Sequence, residues 1–204
     1  MSYISLEANI GVGKSTLLPE LAKVIGYNPI EEDLSKDGKF LTALGEYNKD
    51  KSKAINLQLT ISEFRTEVAK KTMIGKHIVE RSILSDLVFA SVMNKRGDIS
   101  NGDYKLYKSL AETNLKRYPP DMAIYLFCEP EISYERLRGR DREEESSVTL
   151  QYVTELEDAH IDMLPDLCEK YTIPLLTLDY TKFLTPESVA NSINRFKEMI
   201  YVEQ

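Results

Sequence analysis

The chain has 204 residues, of which 42% are hydrophobic and 29% are charged. This length predicts a single domain over residues 1–204 that is large enough to bury a substantial core. The net charge of −7 argues against binding along a nucleic-acid backbone, although it is compatible with a small, locally basic pocket for phosphates.

Other classes of protein and site are excluded by local features. No apolar run reaches membrane-spanning length, and no basic segment followed by an apolar stretch opens the chain, so we expect a cytoplasmic protein without membrane contact. Cys128 and Cys168 lie in or beside apolar segments, where buried, reduced thiols are expected. The two histidines, His77 and His160, do not complete a His/Cys metal site with them.

Apolar runs alternate with helical patterns along the chain, which predicts an α/β fold with a parallel sheet flanked by helices. We expect about five strands, a common sheet size, at Tyr3–Leu6, Asn28–Glu31, His77–Glu80, Met122–Phe127 and Leu175–Leu178. The expected helices are Thr16–Ile25, Ala54–Met73 (with a shorter helix before it), Ile83–Lys95, Asp103–Arg117, Ile132–Arg138 and Thr149–Tyr171. A last helix is capped by Thr185 and opened by Pro186.

The segment Ala8–Thr16 reads ANIGVGKST and connects the first strand to the first helix. Gly11 and Gly13 allow the backbone to curl so that consecutive N–H groups face one anion. Lys14 can reach the outer phosphates of a nucleotide, and Ser15 can offer a hydroxyl to Mg²⁺. The predicted phosphate-binding residues are Asn9, Ile10, Gly11, Val12, Gly13, Lys14, Ser15 and Thr16. The motif usually begins with glycine, so the alanine found here requires a negative φ.

The third strand ends in Glu80, which is followed by Arg81 and Ser82. Ligands bind at the carboxyl ends of the strands in open parallel sheets. Glu80 is therefore a candidate to hold Mg²⁺ together with Ser15, and Arg81 to neutralise charge on a transferring phosphate. The alternative is an ion pair at the end of the strand, with Ser82 capping the next helix.

Three polar residues could form a recognition site for a base. Gln58 and Arg65 are seven residues apart on one helix, so they lie on the same side, and Asp86 opens the next helix. An amide beside an Arg–Asp pair can read the edge of a nucleobase. The alternative is surface polarity on a long helix, with Asp86 favoured by the helix dipole.

Two further charged segments point to phosphate chemistry. Glu31 and Glu32 follow the second strand, where one of them could accept a proton from a hydroxyl nucleophile, or they could begin a solvated loop. Four arginines alternate before the acidic run Glu143–Glu145: Arg136, Arg138, Arg140 and Arg142. We interpret these four arginines, with residues 138–147, as a lid that closes over the γ-phosphate, the alternative being a solvated charge run with internal pairing.

Taken together, these segments resemble the deoxynucleoside kinase family. They are collinear and cover nearly the whole chain: ANIGVGKST, the acid after the second strand, NLQLTISEFR at Asn56–Arg65, VERSILSD at Val79–Asp86, RLRGRDREE at Arg136–Glu144 and TLDYTKF at Thr177–Phe183. The resemblance implies a P-loop kinase fold with an arginine-rich lid. It also implies a homodimer formed through helices on one side of the sheet, here Ile83–Lys95 and Asp103–Arg117.

The resemblance implies a role for each matched position. Glu32 would be the general base for the sugar 5′-hydroxyl, with Glu31 as the alternative, and Arg81 would stabilise the transfer. The residues that would read the base are Gln58, Arg65 and Asp86. Members that prefer thymidine tend to lack the Arg–Asp pair, so its presence favours deoxycytidine or a purine deoxynucleoside.

The remaining roles are carried over in the same way. Tyr47 would contact the sugar 3′-hydroxyl, with an acid of the lid as its partner. That acid would be Glu144, although Glu143 and Glu145 stay open because the lid is slightly longer than in the family. Phe183 would pack near the base of the phosphate donor.

We therefore expect a kinase of nucleotide salvage that moves the γ-phosphate of ATP, or of another nucleoside triphosphate, to the 5′-hydroxyl of a deoxynucleoside with the help of Mg²⁺. A nucleoside monophosphate kinase is the nearest alternative, and it would need extra basic groups for the phosphate of its acceptor. A nucleotide-dependent switch or ATPase is a second alternative. An inactive nucleotide-binding subunit is disfavoured because both Lys14 and Glu80 are present.

Overall fold

The structure is a computed structural model that describes residues 2–140 and 145–202. Its strands are β1 (Ser2–Glu7), β2 (Asn28–Ile30), β3 (Lys76–Glu80), β4 (Met122–Phe127) and β5 (Leu175–Asp179). They form one five-stranded sheet in the order β2-β3-β1-β4-β5, in which every neighbouring pair is parallel. The predicted α/β fold is confirmed, and each predicted strand lies within one residue of its observed limits.

The helices are α1 (Lys14–Ile25), α2 (Gly38–Lys49), α3 (Ala54–Lys71), α4 (Ile83–Lys95), α5 (Asn101–Arg117), α6 (Pro130–Gly139), α7 (Leu150–Lys170) and α8 (Pro186–Val202). Short 3-10 turns, Leu34–Lys36 and Lys51–Lys53, flank α2. The predicted start of α6 at Ile132 is too late, because Pro130 is itself suited to the first turn of a helix. The hydroxyl of Thr185 accepts a bond from the N–H of Ser188 at 3.2 Å, so it caps α8 as predicted.

The sheet topology determines where a ligand can bind. β1 is central, with β3 on one side and β4 on the other; the chain runs from β1 to β2, then to β3, and crosses over β1 to reach β4. Leu6 near the end of β1 is in register with Glu80 of β3 and with Ile124 of β4. The connections on the two sides of β1 thus run in opposite directions, and a ligand crevice is expected at the carboxyl ends of the strands at such a reversal. The phosphate loop leaves β1 at this point.

The core has a layer on each face of the sheet, as alternation along β4 shows. Ala123 and Tyr125 contact the layer built from α3, α4, α5 and α7. Met122, Ile124 and Leu126 contact the layer built from α1 and α8. This alternation is the two-residue period of a strand that is buried on both faces. Both cysteines are free and buried, as predicted.

The helix α4 is mostly buried, whereas a dimer surface was expected on it. Its side chains from Ile83 to Val88 and from Ala90 to Met93 are buried, because α3, α5 and α7 all pack against it. The prediction that Ile83–Lys95 supplies a dimer surface is therefore wrong for most of this helix. The neighbouring α5 does expose apolar side chains, with Leu106 72% and Leu110 46% accessible. Within the described ranges, no helix is both long and apolar enough to cross a bilayer.

His160 is fully buried on α7, between the sheet and α4. Its ring stacks on Tyr125 with 5.8 Å between centroids, and Phe89 meets it edge-on at 6.0 Å. The Nδ1 atom lies 2.6 Å from the carbonyl oxygen of Leu156, so Nδ1–H donates a hydrogen bond there. Burial lowers the pKa of His160 from 6.5 to about 3, which leaves the ring neutral in the folded protein at neutral pH.

This packing predicts a pH-dependent contribution to stability. Between pH 6.5 and about 3 the unfolded chain binds a proton at His160 that the folded protein does not bind. The free energy of unfolding therefore falls as the pH drops through this window, by at most about 1.4 kcal/mol per pH unit from this residue. We expect His160→Gln to show a smaller loss of stability between about pH 7 and about pH 5 in urea denaturation. An equal loss in both proteins would contradict this assignment.

Candidate active site

The phosphate loop connects β1 to α1 in a tightly packed turn. Gly11 and Gly13 have φ values of +78° and +110°, in the left-handed region that glycine tolerates best. A Cβ atom on Gly11 would lie 2.1 Å from the carbonyl oxygen of Ser133. Among the described residues that carry a side chain, only Arg81 and Thr172 have a positive φ, so Ala8 meets the requirement predicted for it.

Lys14 lies across the phosphate loop. Its Nζ donates to the carbonyl oxygens of Ala8 at 3.3 Å and Asn9 at 2.7 Å, and the residue is 4% exposed. Burial, with the charge of Arg81 as the second cause, lowers the pKa of Lys14 to about 7. An anion in the loop would favour the charged form of this amine and replace its carbonyl partners.

Ser15 and Glu80 meet at the start of α1. The hydroxyl of Ser15 donates to Oε1 of Glu80 at 2.9 Å, and Glu80 is 7% exposed. A hydroxyl and a carboxylate are oxygen ligands of the kind that Mg²⁺ prefers. In the part of the chain that the structure describes, no group of three or more acidic, histidine or cysteine side chains could hold a metal by itself. An ion here would therefore take further ligands from phosphate and water.

Glu32 is the acid that the fold turns into the site. One carboxylate oxygen accepts a bond from Arg65 Nη2 and the other from Arg81 Nη1. Burial alone would raise the pKa of Glu32, but the charges of the two arginines outweigh it and lower the pKa to about 2. Glu31 is exposed to solvent. Of the two acids considered from the sequence, only Glu32 contacts these arginines, with its side chain 9% exposed.

Arg65 also contacts Asp86 and the main chain of Glu80. Its Nε donates to Oδ1 of Asp86 at 3.0 Å, and its Nη1 donates to the carbonyl oxygen of Glu80 at 3.1 Å. Arg65 is 4% exposed and Asp86 2% exposed, so surface polarity is the wrong interpretation of this pair. Through Arg65, the Arg65–Asp86 pair holds the Glu32 carboxylate in place.

A cavity of about 690 Å³ opens in front of Glu32. Of the predicted substrate residues, Glu32, Tyr47, Gln58 and Arg81 line it, whereas Arg65 and Asp86 lie behind the wall. The apolar part of the wall includes Leu57, Ile61, Phe89, Met93 and Tyr152. The amide nitrogen of Gln58 lies 3.3 Å from Met93 Sδ, and its buried oxygen has no hydrogen-bond partner among the described residues.

Tyr47 has an acidic partner that the sequence analysis missed. Its hydroxyl donates to Oδ2 of Asp98 at 2.9 Å, and both residues line the cavity. The predicted partner, Glu144, lies outside the described residues, as does Arg142. Glu145 lines the cavity and forms an ion pair with Arg140 at 3.2 Å. This contact is the internal pairing that the sequence analysis left open for the lid.

Arg136 differs from its predicted place in a lid. Its guanidinium donates to the carbonyl oxygens of Val12 at 3.1 Å, Tyr180 at 3.2 Å and Thr181 at 2.6 Å. It also lies 3.9 Å from the centre of the Phe183 ring, which is 63% exposed. Arg136 thus packs against the phosphate loop and is not part of a lid. Arg138 donates to the carbonyl oxygen of Ser146 at 3.3 Å.

Two buried acids near the site were not found from the sequence. Glu7, at the end of β1, accepts bonds from the N–H of Ser82 at 3.1 Å and from its hydroxyl at 2.5 Å. Glu157 of α7 accepts bonds from Asn9 Nδ2 at 2.9 Å and from the hydroxyl of Tyr125 at 2.5 Å. A glutamate at a core position of a strand or of an apolar helix face could have indicated both residues, because a buried carboxylate needs hydrogen-bond partners.

Comparison with known proteins agrees with this geometry. The chain matches the deoxynucleoside kinase family model over residues 4–201. It is 30% identical to a deoxyadenosine kinase of Dictyostelium discoideum, with 100% of this chain and 82% of that protein covered. It is 28% identical to a deoxyadenosine/deoxycytidine kinase of Bacillus subtilis, with 100% and 95% covered.

The fold is also shared with a solved structure. A deoxyadenosine kinase from M. mycoides with bound dCTP superimposes with a TM-score of 0.79 at 23% identity, covering 95% of this chain and 99% of that one. At this identity the match shows the P-loop kinase fold alone. The family model, which spans almost the whole chain, shows more: this protein belongs to the deoxynucleoside kinase family and is a phosphotransferase.

Proposed function

We propose that this kinase transfers the γ-phosphate of ATP, or of another nucleoside triphosphate, to the 5′-hydroxyl of a deoxynucleoside bound in the 690 Å³ cavity. The observation that carries the proposal is Glu32, an ionised carboxylate that lines the cavity and is paired with Arg81. Arg81 in turn donates to the carbonyl oxygen of Ala8 in the phosphate loop at 3.3 Å. An acceptor hydroxyl at Glu32 would therefore face a phosphate held in that loop.

In this mechanism Glu32 takes up the proton of the acceptor hydroxyl. The 5′-oxygen forms a bond to the γ-phosphorus, and the bond to the departing nucleoside diphosphate breaks. With a pKa near 2 and two arginine partners, Glu32 is a weak base before substrate binds. We infer that the hydroxyl displaces one arginine contact, which raises the basicity of Glu32 and frees Arg81 to stabilise the transferring phosphate.

Ser15 and Glu80 are the residues that would hold Mg²⁺, as their contact at 2.9 Å supports. The ion, when bound, neutralises charge on the phosphates. Lys14 and the loop N–H groups would bind the same phosphates. Arg138 and Arg140, which belong to the proposed lid, would close over the γ-phosphate. Phe183, which is 63% exposed and lies 3.9 Å from the Arg136 guanidinium, would pack against the base of the donor.

The cavity wall supports deoxycytidine or a purine deoxynucleoside as the acceptor. The carboxamide of Gln58 offers both a donor and an acceptor, which matches a base edge with an exocyclic amino group beside a ring nitrogen. Its oxygen is available, because no described residue bonds to it. Salvage of deoxynucleosides in the cytoplasm is part of the same proposal.

The charges around the cavity favour this function over a nucleoside monophosphate kinase. A phosphate on the acceptor would need cations, and among the described residues three line the cavity: Lys51, Arg81 and Arg96. Arg81 contacts Glu32, Arg96 forms an ion pair with Glu155 at 2.7 Å, and Lys51 lies 3.8 Å above the Tyr47 ring. The group that faces the acceptor is therefore a carboxylate, which would repel a phosphate.

The test of the function is a choice of acceptors. With Mg·ATP we expect phosphorylation of deoxycytidine or of a purine deoxynucleoside, and no phosphorylation of the corresponding monophosphates. The rates are measured by formation of ADP and of the nucleotide product. Transfer to monophosphates alone, or ATP hydrolysis that no acceptor stimulates, would overturn the proposal.

Replacing the proposed base should separate the two neighbouring acids. We expect Glu32→Gln to lower kcat by at least about a hundredfold, the usual scale for loss of a general base. Glu31→Gln is the matched control and should keep a rate close to that of the unaltered enzyme, because Glu31 is exposed. Equal rates in the two variants, measured in the same assay, would remove Glu32 from this role.

Asp86 should affect which base is accepted. Removing its carboxylate in Asp86→Ala frees Arg65 Nε, so we expect altered ratios of kcat/KM among the four common deoxynucleosides. Asp86→Asn keeps an oxygen for Arg65 and should lie closer to the unaltered profile. If Asp86→Ala folds and its profile is unchanged, the Arg–Asp pair does not contribute to base recognition.

We also propose a homodimer, supported by the exposed leucines of α5. Leu106 and Leu110 are one helical turn apart and are 72% and 46% accessible, an unusual exposure for two adjacent apolar side chains. Sedimentation equilibrium should therefore give twice the mass of one chain. The double variant Leu106→Glu/Leu110→Glu should give the mass of a single chain, and an unchanged dimer would show that this face is not the interface.

A further inference from the structure

Arg81 has an unusual backbone conformation for a residue with a long side chain. Its φ is +61°, in the left-handed region that costs energy for any residue except glycine. Such a conformation persists only where the surrounding contacts hold it in place. The contacts that hold Arg81 are therefore part of the construction of the site.

Successive residues of β1 bind the peptide groups on both sides of Arg81. The N–H of Arg81 donates to the carbonyl oxygen of Leu6 at 3.0 Å. The next N–H, that of Ser82, donates to Oε1 of Glu7 at 3.1 Å. The first contact uses the main chain, which any residue provides, whereas the second requires the side chain of Glu7.

The remaining contacts of Glu7 support the same point. Oε1 also accepts the hydroxyl of Ser82 at 2.5 Å, and Oε2 accepts the hydroxyl of Ser85. Because the oxygen of Ser82 already accepts the N–H of Leu84 at 3.2 Å, its single proton is available to Glu7. Glu7 is fully buried, so an apolar residue would fill this space without the cost of burying a carboxylate.

The guanidinium of Arg81 shows what depends on this arrangement. Nη1 contacts Glu32, Nε contacts the carbonyl oxygen of Ala8 at 3.3 Å, and the group lies 5.1 Å from the centre of the Phe89 ring. If the peptide between Arg81 and Ser82 were released, φ could return to a negative value. The Cβ of Arg81 would then point elsewhere, and the guanidinium would leave the path between cavity and phosphate loop.

We propose that Glu7 is a positioning residue for phosphoryl transfer, which holds Arg81 in the left-handed conformation by binding the N–H of Ser82. This inference rests on the role given to Arg81 in the proposed function. Glu7 itself does not contact the substrates. Its effect is therefore expected in kcat and not in the KM for the deoxynucleoside.

The experiment is a double-mutant cycle with a conservative control. Glu7→Leu removes the acceptor and keeps most of the volume, and it is combined with Arg81→Ala. Glu7→Gln keeps an oxygen for the N–H of Ser82. We expect Glu7→Leu to lower kcat by about tenfold to a hundredfold, the scale of a small misplacement of a catalytic group. We expect Glu7→Gln to retain kcat within about threefold, with little change in KM in either variant.

The decisive comparison is made in the Arg81→Ala background. There we expect Glu7→Leu to cause no further loss, because the group that it positions is already absent. If Glu7→Leu lowers kcat equally with and without Arg81, or lowers it in neither, Glu7 acts only on the fold and the inference is wrong. If Glu7→Leu does not fold, Glu7→Asp replaces it, since shortening the side chain withdraws both oxygens.

Failure of the proposed function would look different. It would appear as full kcat in Arg81→Ala, or as no transfer to deoxynucleosides by the unaltered enzyme. Either result would overturn the role of Glu7 together with that of Arg81. A loss in Arg81→Ala combined with equal effects of Glu7→Leu in both backgrounds would overturn the role of Glu7 alone.

Discussion

The site depends on one carboxylate held between two guanidinium groups. Glu32 lies between Arg65 and Arg81, and these three side chains join the loop after β2 to α3 and to the end of β3. Burying such charges costs free energy that only close pairing offsets. A substitution that removes Glu32 takes this carboxylate from Arg81 and leaves Arg65 with Asp86 as its remaining carboxylate among these residues. The three elements are thereby fixed relative to each other by charge as well as by apolar packing.

The sequence predicted the parts of the fold that local physics determines. The glycines of the phosphate loop, the period of the apolar residues and the proline at the start of α8 each act within a few residues, and these elements were predicted correctly. The start of α6 and the burial of α4 were missed, although Pro130 and the apolar character of α4 are themselves local signals. A helix that is apolar on all sides is typical of a buried helix, and the packing of α3, α5 and α7 against α4 agrees with that pattern.

The site was predictable in its motifs and not in its long-range contacts. Gln58, Arg65 and Asp86 could be grouped because two of them share one helix face. By contrast, Tyr47 meets Asp98 across 51 residues, Ser82 meets Glu7 across 75, and Asn9 meets Glu157 across 148. Nothing in the local sequence indicates such pairs. The choice between Glu31 and Glu32 likewise depended on the arginines, which come from other elements.

The chain between α6 and α7 is attached at both ends to the phosphate loop. On one side Arg136 binds the carbonyl oxygen of Val12, and on the other the amide of Asn9 binds the carbonyl oxygen of Val153 at 2.8 Å. Both contacts are made by residues of the loop, Val12 and Asn9, and not by the sheet. The positions of Arg138 and Arg140, which lie between these two contacts, consequently depend on the conformation of the loop. A change in the conformation of the loop would therefore also move the segment that carries these two arginines.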